Sequence, residues 1–145
     1  MYSNQVEIWL YRSVNKHFDQ LNDSGIYIQF EGAPDKREEH NSWVEVRIDG
    51  PSAKVLGPDY YHITLDVDCL LQVNTEDNIY DLPELIGQVR ELFTCITVLD
   101  DSETDVGALV TEQDDIEVDS FGKIPGTQHA RTSVRATFGM YYTVT

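Results

Sequence analysis

Chemistry in this chain would have to start from four histidines and a pair of acids on one strand. His17, His40, His62 and His129 are its only histidines, and none has another His or a Cys at the spacing of a metal site. They fall on a helix, a loop and two separate strands, where each reads as a surface or edge residue. Asp66 and Asp68 share a strand face at about 7 Å, and paired carboxylates do acid-base work when buried together. His62 shares that face but lies about 13 Å from Asp66, too far for a direct dyad. The face is polar throughout, so the simpler reading makes these acids solvating or ion-pairing groups. Arg131 and Arg135, on the polar face of the last strand, are then their cross-strand or inter-subunit partners. Asp115-x-Glu117-x-Asp119 opens like a calcium loop, but Ser120 stands where that loop needs Gly and Gly126 where it needs Glu. No P-loop, nucleophile elbow or H-E-x-x-H pattern occurs, so the expectation is no catalytic residue, no metal and no cofactor.

The elements that would position these residues can be read from periodicity. Val6, Trp9, Leu10, Val14, Phe18 and Leu21 mark one face of a helix over Val6–Leu21, stopped by Asn22-Asp23-Ser24-Gly25 with Gly25 suited to a left-handed cap. Ile26–Phe30 reads as a short strand, and the charged stretch Glu31–Ser42 as an exposed loop. Trp43–Asp49 alternates apolar with charged residues and ends at Gly50-Pro51. Tyr60–Val73 carries the clearest alternation, and 14 residues of strand reach about 48 Å. A strand that long projects or bends, and projecting strands find partners.

A second helix starts at Asn78 or Asp81, with Pro83 in its first turn and Glu84 as the capping-box acid, and runs to Phe93. Cys95–Leu99 reads as a strand, Ile116 and Val118 as part of another, and the two join in a hairpin-like meander through the turn residues of Ser120–Gly126. From Ala130 to Thr145 a second long strand presents one dry face. The expected architecture is a single α+β domain over residues 1–145, a mainly antiparallel sheet with two long strands and two helices on one face.

The balance of charge narrows the function classes. Against 26 Asp and Glu the 145 residues hold 10 Lys and Arg, a net charge of −16. Groove-filling DNA binding needs cations to displace counterions, and anionic membranes repel such a chain. Cys69 and Cys95 form neither a disulfide scaffold nor a C-x-x-C pattern, so reduced thiols and a cytosolic setting are expected. The N-terminus carries no signal-peptide pattern, and no run approaches the roughly 20 apolar residues of a membrane span. Between Asp100 and Asp119 stand nine acids and no Lys or Arg. Such a block is ordinarily a solvated loop. Around a channel, however, Asp100, Asp101, Glu103, Asp105, Asp114 and Asp115 would repel phosphate and let DNA slide past.

Taken together, the opening helix Val6–Leu21, the strand Trp43–Asp49 closed by Gly50-Pro51, the long strand Tyr60–Val73, the helix from Asp77-Asn78-Ile79-Tyr80-Asp81-Leu82 to Phe93 and the C-terminal strand resemble the tail terminator or tail-completion proteins of long-tailed bacteriophages. The resemblance spans nearly the whole chain and is one of element order, size and acidity. It implies a homohexameric ring that caps the tail tube, ends its polymerisation and joins the tail to the head or neck without catalysis. The implied partners are further copies of the chain, the tail tube protein and a neck or head-completion protein, with DNA only as passing cargo and no membrane. The implied location is the virion tail or neck, after assembly in the host cytoplasm. The alternative is an acidic DNA-mimic module that inhibits a nucleic-acid enzyme, and a third reading is an enzyme using Asp66, Asp68 and His62.

Overall fold

The computed structural model describes residues 3–74, 81–111 and 113–144. Apolar residues three and four apart place Val6, Leu10, Val14 and Phe18 on the buried side of helix α1 (Asn4–Phe18). A 3-10 turn over Asp19–Ser24 follows, and Gly25 closes it at φ 79° in the left-handed conformation that glycine adopts without strain. The helix is therefore shorter than its periodicity predicts, because Leu21 is buried from the 3-10 turn.

Strand β1 (Tyr27–Phe30) pairs with β2 (Trp43–Gly57) in parallel, Tyr27 opposite Trp43. Parallel neighbours need a crossover of about a dozen residues, which accounts for the long charged loop between them. Gln29 ties that loop down, donating to the carbonyls of Ala33 at 3.1 Å and Pro34 at 3.3 Å. Arg37 holds it from the other side through Asp35 at 2.8 Å and Glu45 at 3.1 Å.

Strand β3 (Tyr60–Asn74) lies antiparallel between β2 and β7 (His129–Thr143), and it stays in register with β7 from Tyr60 opposite Thr143 to Asn74 opposite His129. Among the described residues helix α2 spans Asp81–Glu91; the expected cap Asn78 and the Asp77–Tyr80 stretch lie outside them, as do Glu112 and Thr145. Strand β4 (Cys95–Leu99) pairs with β5 (Asp105–Val110), and β6 (Glu117–Lys123) pairs with the first half of β7. The sheet order is β1-β2-β3-β7-β5-β4, with β6 beside β7 off that path. One side of the sheet carries both helices, and Phe18, Phe93 and Phe138 meet there at ring separations of 5.3 and 5.7 Å. The domain is α+β with a mostly antiparallel, curled sheet.

Three expectations are corrected. Strand β2 does not end at Gly50-Pro51 but continues to Gly57, because a register shift between Asp49 and Ser52 removes Pro51 from the ladder. Gly50 sits there at φ 108°, and a Cβ on it would meet the Thr64 carbonyl at 3.4 Å. The expected meander of Cys95–Leu99 with the Ile116–Val118 strand is absent: these strands pair with β5 and β7 instead. The acidic block is no simple loop, since β5 crosses it and turns Leu109 into the core. Its short apolar run, Val106-Gly-Ala-Leu-Val110, is masked in the sequence by acids on both sides.

Candidate functional site

Alternation along β2, β3 and β7 puts every second side chain on the helix-free face, and antiparallel register lines them up in rungs across the strands. One rung runs Arg47, Asp68, Arg135, Glu117; the next holds Asp49, Asp66 and Thr137. Together with Glu31 and Asp115 these residues line an open groove of about 650 Å³.

Inside the groove the candidate contacts are already partnered within the chain. Arg135 stands opposite Asp68 in the ladder, yet its guanidinium pairs with Glu117 at 3.0 Å and Asp119 at 2.7 Å on β6. The hydrogen bond to Glu117, then the charge of Asp119, raise its already high pKa. Asp68 accepts a hydrogen bond from the Ser133 hydroxyl at 2.6 Å, and Asp66 accepts one from Thr137. Arg131 donates to Gln72 at 2.7 Å rather than to an aspartate. Asp66 and Asp68 thus share the expected face with Arg131 and Arg135, but β7 hydroxyls and β6 acids divide the pairing between them. Shorter side chains reach their cross-strand neighbour first, and Arg135 is long enough to reach β6.

The histidines are dispersed. His17 donates from Nε2 to the Leu92 carbonyl at 2.7 Å, and His40 stacks on Tyr27 at 4.0 Å. His129 lies 6.1 Å from Trp43, and His62 tilts against Tyr141 at 4.7 Å. His62 lies over Gly139, where an added Cβ would come within 3.0 Å of its Nε2. Among the described residues no three His, Cys, Asp or Glu side chains are placed to hold a metal ion.

No family model matches the chain, and no curated protein matches it.

The six expected pore-lining acids form two groups. Asp100, Asp101 and Glu103 stand in the β4–β5 turn beside Arg12 and Lys16 of α1, where Arg12 pairs with Asp101 at 3.1 Å and Asp100 accepts the Ser102 and Thr104 amides at 2.8 and 2.9 Å. Asp105 opens β5 and accepts from the Gly107 amide at 2.9 Å. Asp114 and Asp115 occupy the 3-10 turn before β6, and Asp115 reaches the groove. The length of β5, about 20 Å, separates the two groups.

Sequence reasoning missed a different cluster. Beyond Gly50 strand β2 leaves the core, with Ser52 to Leu56 all exposed, while Tyr61 and Ile63 opposite it on β3 stay buried. Val55 is 68% exposed, Leu56 43%, and Tyr60 and Tyr141 stack at 6.1 Å with 40% and 62% of their surfaces open. The signal available was the Val55-Leu56 pair beyond a Gly-Pro stop. Among the described residues no helix is long and apolar enough to cross a membrane.

Proposed function

We propose that this chain is a non-enzymatic subunit of a homohexameric ring that caps the tail tube of a long-tailed bacteriophage, ends its polymerisation and joins the tail to the head or neck. The observation that carries the reading is the pair β3 and β7, each 15 residues long, with the helices on one side only and the opposite face open. Strands in globular domains usually run about five or six residues. Strands nearly three times that length present a broad polar face opposite the core, and a wide sheet surface of that kind is a candidate for burial between subunits. Acids at both ends of β5 leave part of the surface that DNA would pass without being held.

Light scattering on the purified chain tests this. The expected mass is near six times the 16.6 kDa subunit. A monomer at all concentrations overturns the ring. The groove, whose lining carries six acids, namely Glu31, Asp49, Asp66, Asp68, Asp115 and Glu117, also favours a second reading as a DNA mimic. That reading requires a monomer that binds a basic protein and releases it as salt is raised.

A further inference from the structure

We infer that the two end strands of the sheet, β1 and β4, pair with one another between copies of this chain, so that the sheet of one subunit continues into the next. The inference deepens the ring reading and rests on it. In the sheet order β1 and β4 stand at opposite ends, and neither has a strand on its outer side. They are also the two strands of the seven with no charged residue, Tyr27-Ile28-Gln29-Phe30 and Cys95-Ile96-Thr97-Val98-Leu99, in a chain of net charge −16. Sheet edges are ordinarily protected by charges, proline or bulges. Strand β6, likewise paired on one side only, follows that rule, with Glu117, Asp119, Lys123 and a register shift at Ser120 and Gly122. The two ends of the sheet carry no such charge.

Hydrogen bonds show which side of β4 is open. The Thr94 carbonyl accepts the Thr111 amide at 3.3 Å, whereas the Leu99 amide donates to the Ser13 hydroxyl of α1 at 3.1 Å. Backbone groups alternate in direction along a strand, so Ile96 and Val98 bond β5 while Cys95 and Thr97 turn their amides and carbonyls outward. Along that edge Ser13, Lys16, His17 and Gln20 of α1 line a groove of about 360 Å³ with Cys95 and Thr97, and no carboxylate lines it. Two copies that each carry −16 must meet where acids are not brought together, and an uncharged strand laid into this groove meets that condition. The faces match as well. On β1, Ile28 pairs with the core residue Val44, so Tyr27 and Gln29 share the helix-free face; on β4, Ile96 and Val98 are buried, so Cys95 and Thr97 share it. Within one chain β2, β3, β7 and β5 stand between the two edges. Different edges meeting make a heterologous contact, which closes a ring when the rotation between copies closes.

Sedimentation velocity and hydrogen exchange read at single amides test the pairing. Thr97→Pro removes an outward amide and leaves the bonds to β5 in place, so the variant should keep its circular dichroism spectrum and raise the concentration of half-dissociation by about tenfold or more. In the wild type the Thr97 amide should exchange quickly in dilute subunits and slowly in the assembly, with Val98 protected in both. Tyr27→Cys identifies the partner strand. Mild oxidation of the assembly should link it to Cys95, or to position 97 when Cys95→Ser and Thr97→Cys are added, giving a ladder of covalent oligomers beyond the dimer. Undiminished assembly of a folded Thr97→Pro, or fast exchange of the Thr97 amide in the assembly, overturns the β4 contact and leaves the ring standing; if that variant does not fold, the exchange result decides alone. Linkage that is absent in both backgrounds or stops at dimers overturns β1 as the partner. A wild-type monomer overturns both pairing and ring.

Discussion

Arg37 and the two thiols give the sharpest expectations at the scale of single residues. Hydrogen bonds from the Arg37 side chain and backbone lower the Asp35 carboxyl from 3.8 to about 2. A carboxyl depressed in the folded state supports folding above its unfolded value and loses that support as pH falls toward 2. Both groups are largely exposed, so solvent keeps the effect on stability small, and the titration itself is the observable. Carboxyl carbon shifts should place Asp35 near 2 and return it to the ordinary range in Arg37→Gln; an unchanged midpoint in that variant would remove Arg37 as the cause. Cys95 is exposed and Cys69 fully buried, where desolvation raises the thiol pKa well above its usual value. A thiol reagent should therefore label one cysteine in the native protein and two after unfolding. Rapid labelling of Cys69 in the native state would show that the β3 core opens easily.

Elements supply the next scale, and here the aromatic line under the helices dominates. Phe93 is fully buried between Phe18 and Phe138. Phe93→Ala should cost about 3–5 kcal/mol in denaturant unfolding, with helix content falling only as the whole domain melts. A loss under 1 kcal/mol would mean the helices are not held by this contact. The same scale shows what the sequence could reveal. Strict alternation made β3 and β7 legible nearly to their ends, because one face is dry along most of their length. Strand β2 was legible only to Asp49: past Gly50 it has no core to face, so its alternation stops carrying information. Strand β6 shows only its Ile116–Val118 start in the sequence for a similar reason: every one of its residues is exposed, and a register shift between Ser120 and Gly122 breaks its pairing. The groove was partly legible, since Asp66, Asp68 and Arg135 share one polar face in the alternation. Its other walls, Glu31 and Asp115, come from separate loops that only the three-dimensional register brings together.

For the whole molecule, acidity and strand length act together. A net charge of −16 on 145 residues resists association between copies, so assembly should strengthen as salt screens the general repulsion. A plot of assembled fraction against ionic strength should therefore rise, whereas a contact held mainly by opposite charges would give a steady fall. The central claim is that identical copies close into a ring of six. End-on electron microscopy of the purified chain tests it most directly: six-lobed rings with an open centre are the expected image, and fields of isolated single domains would contradict it.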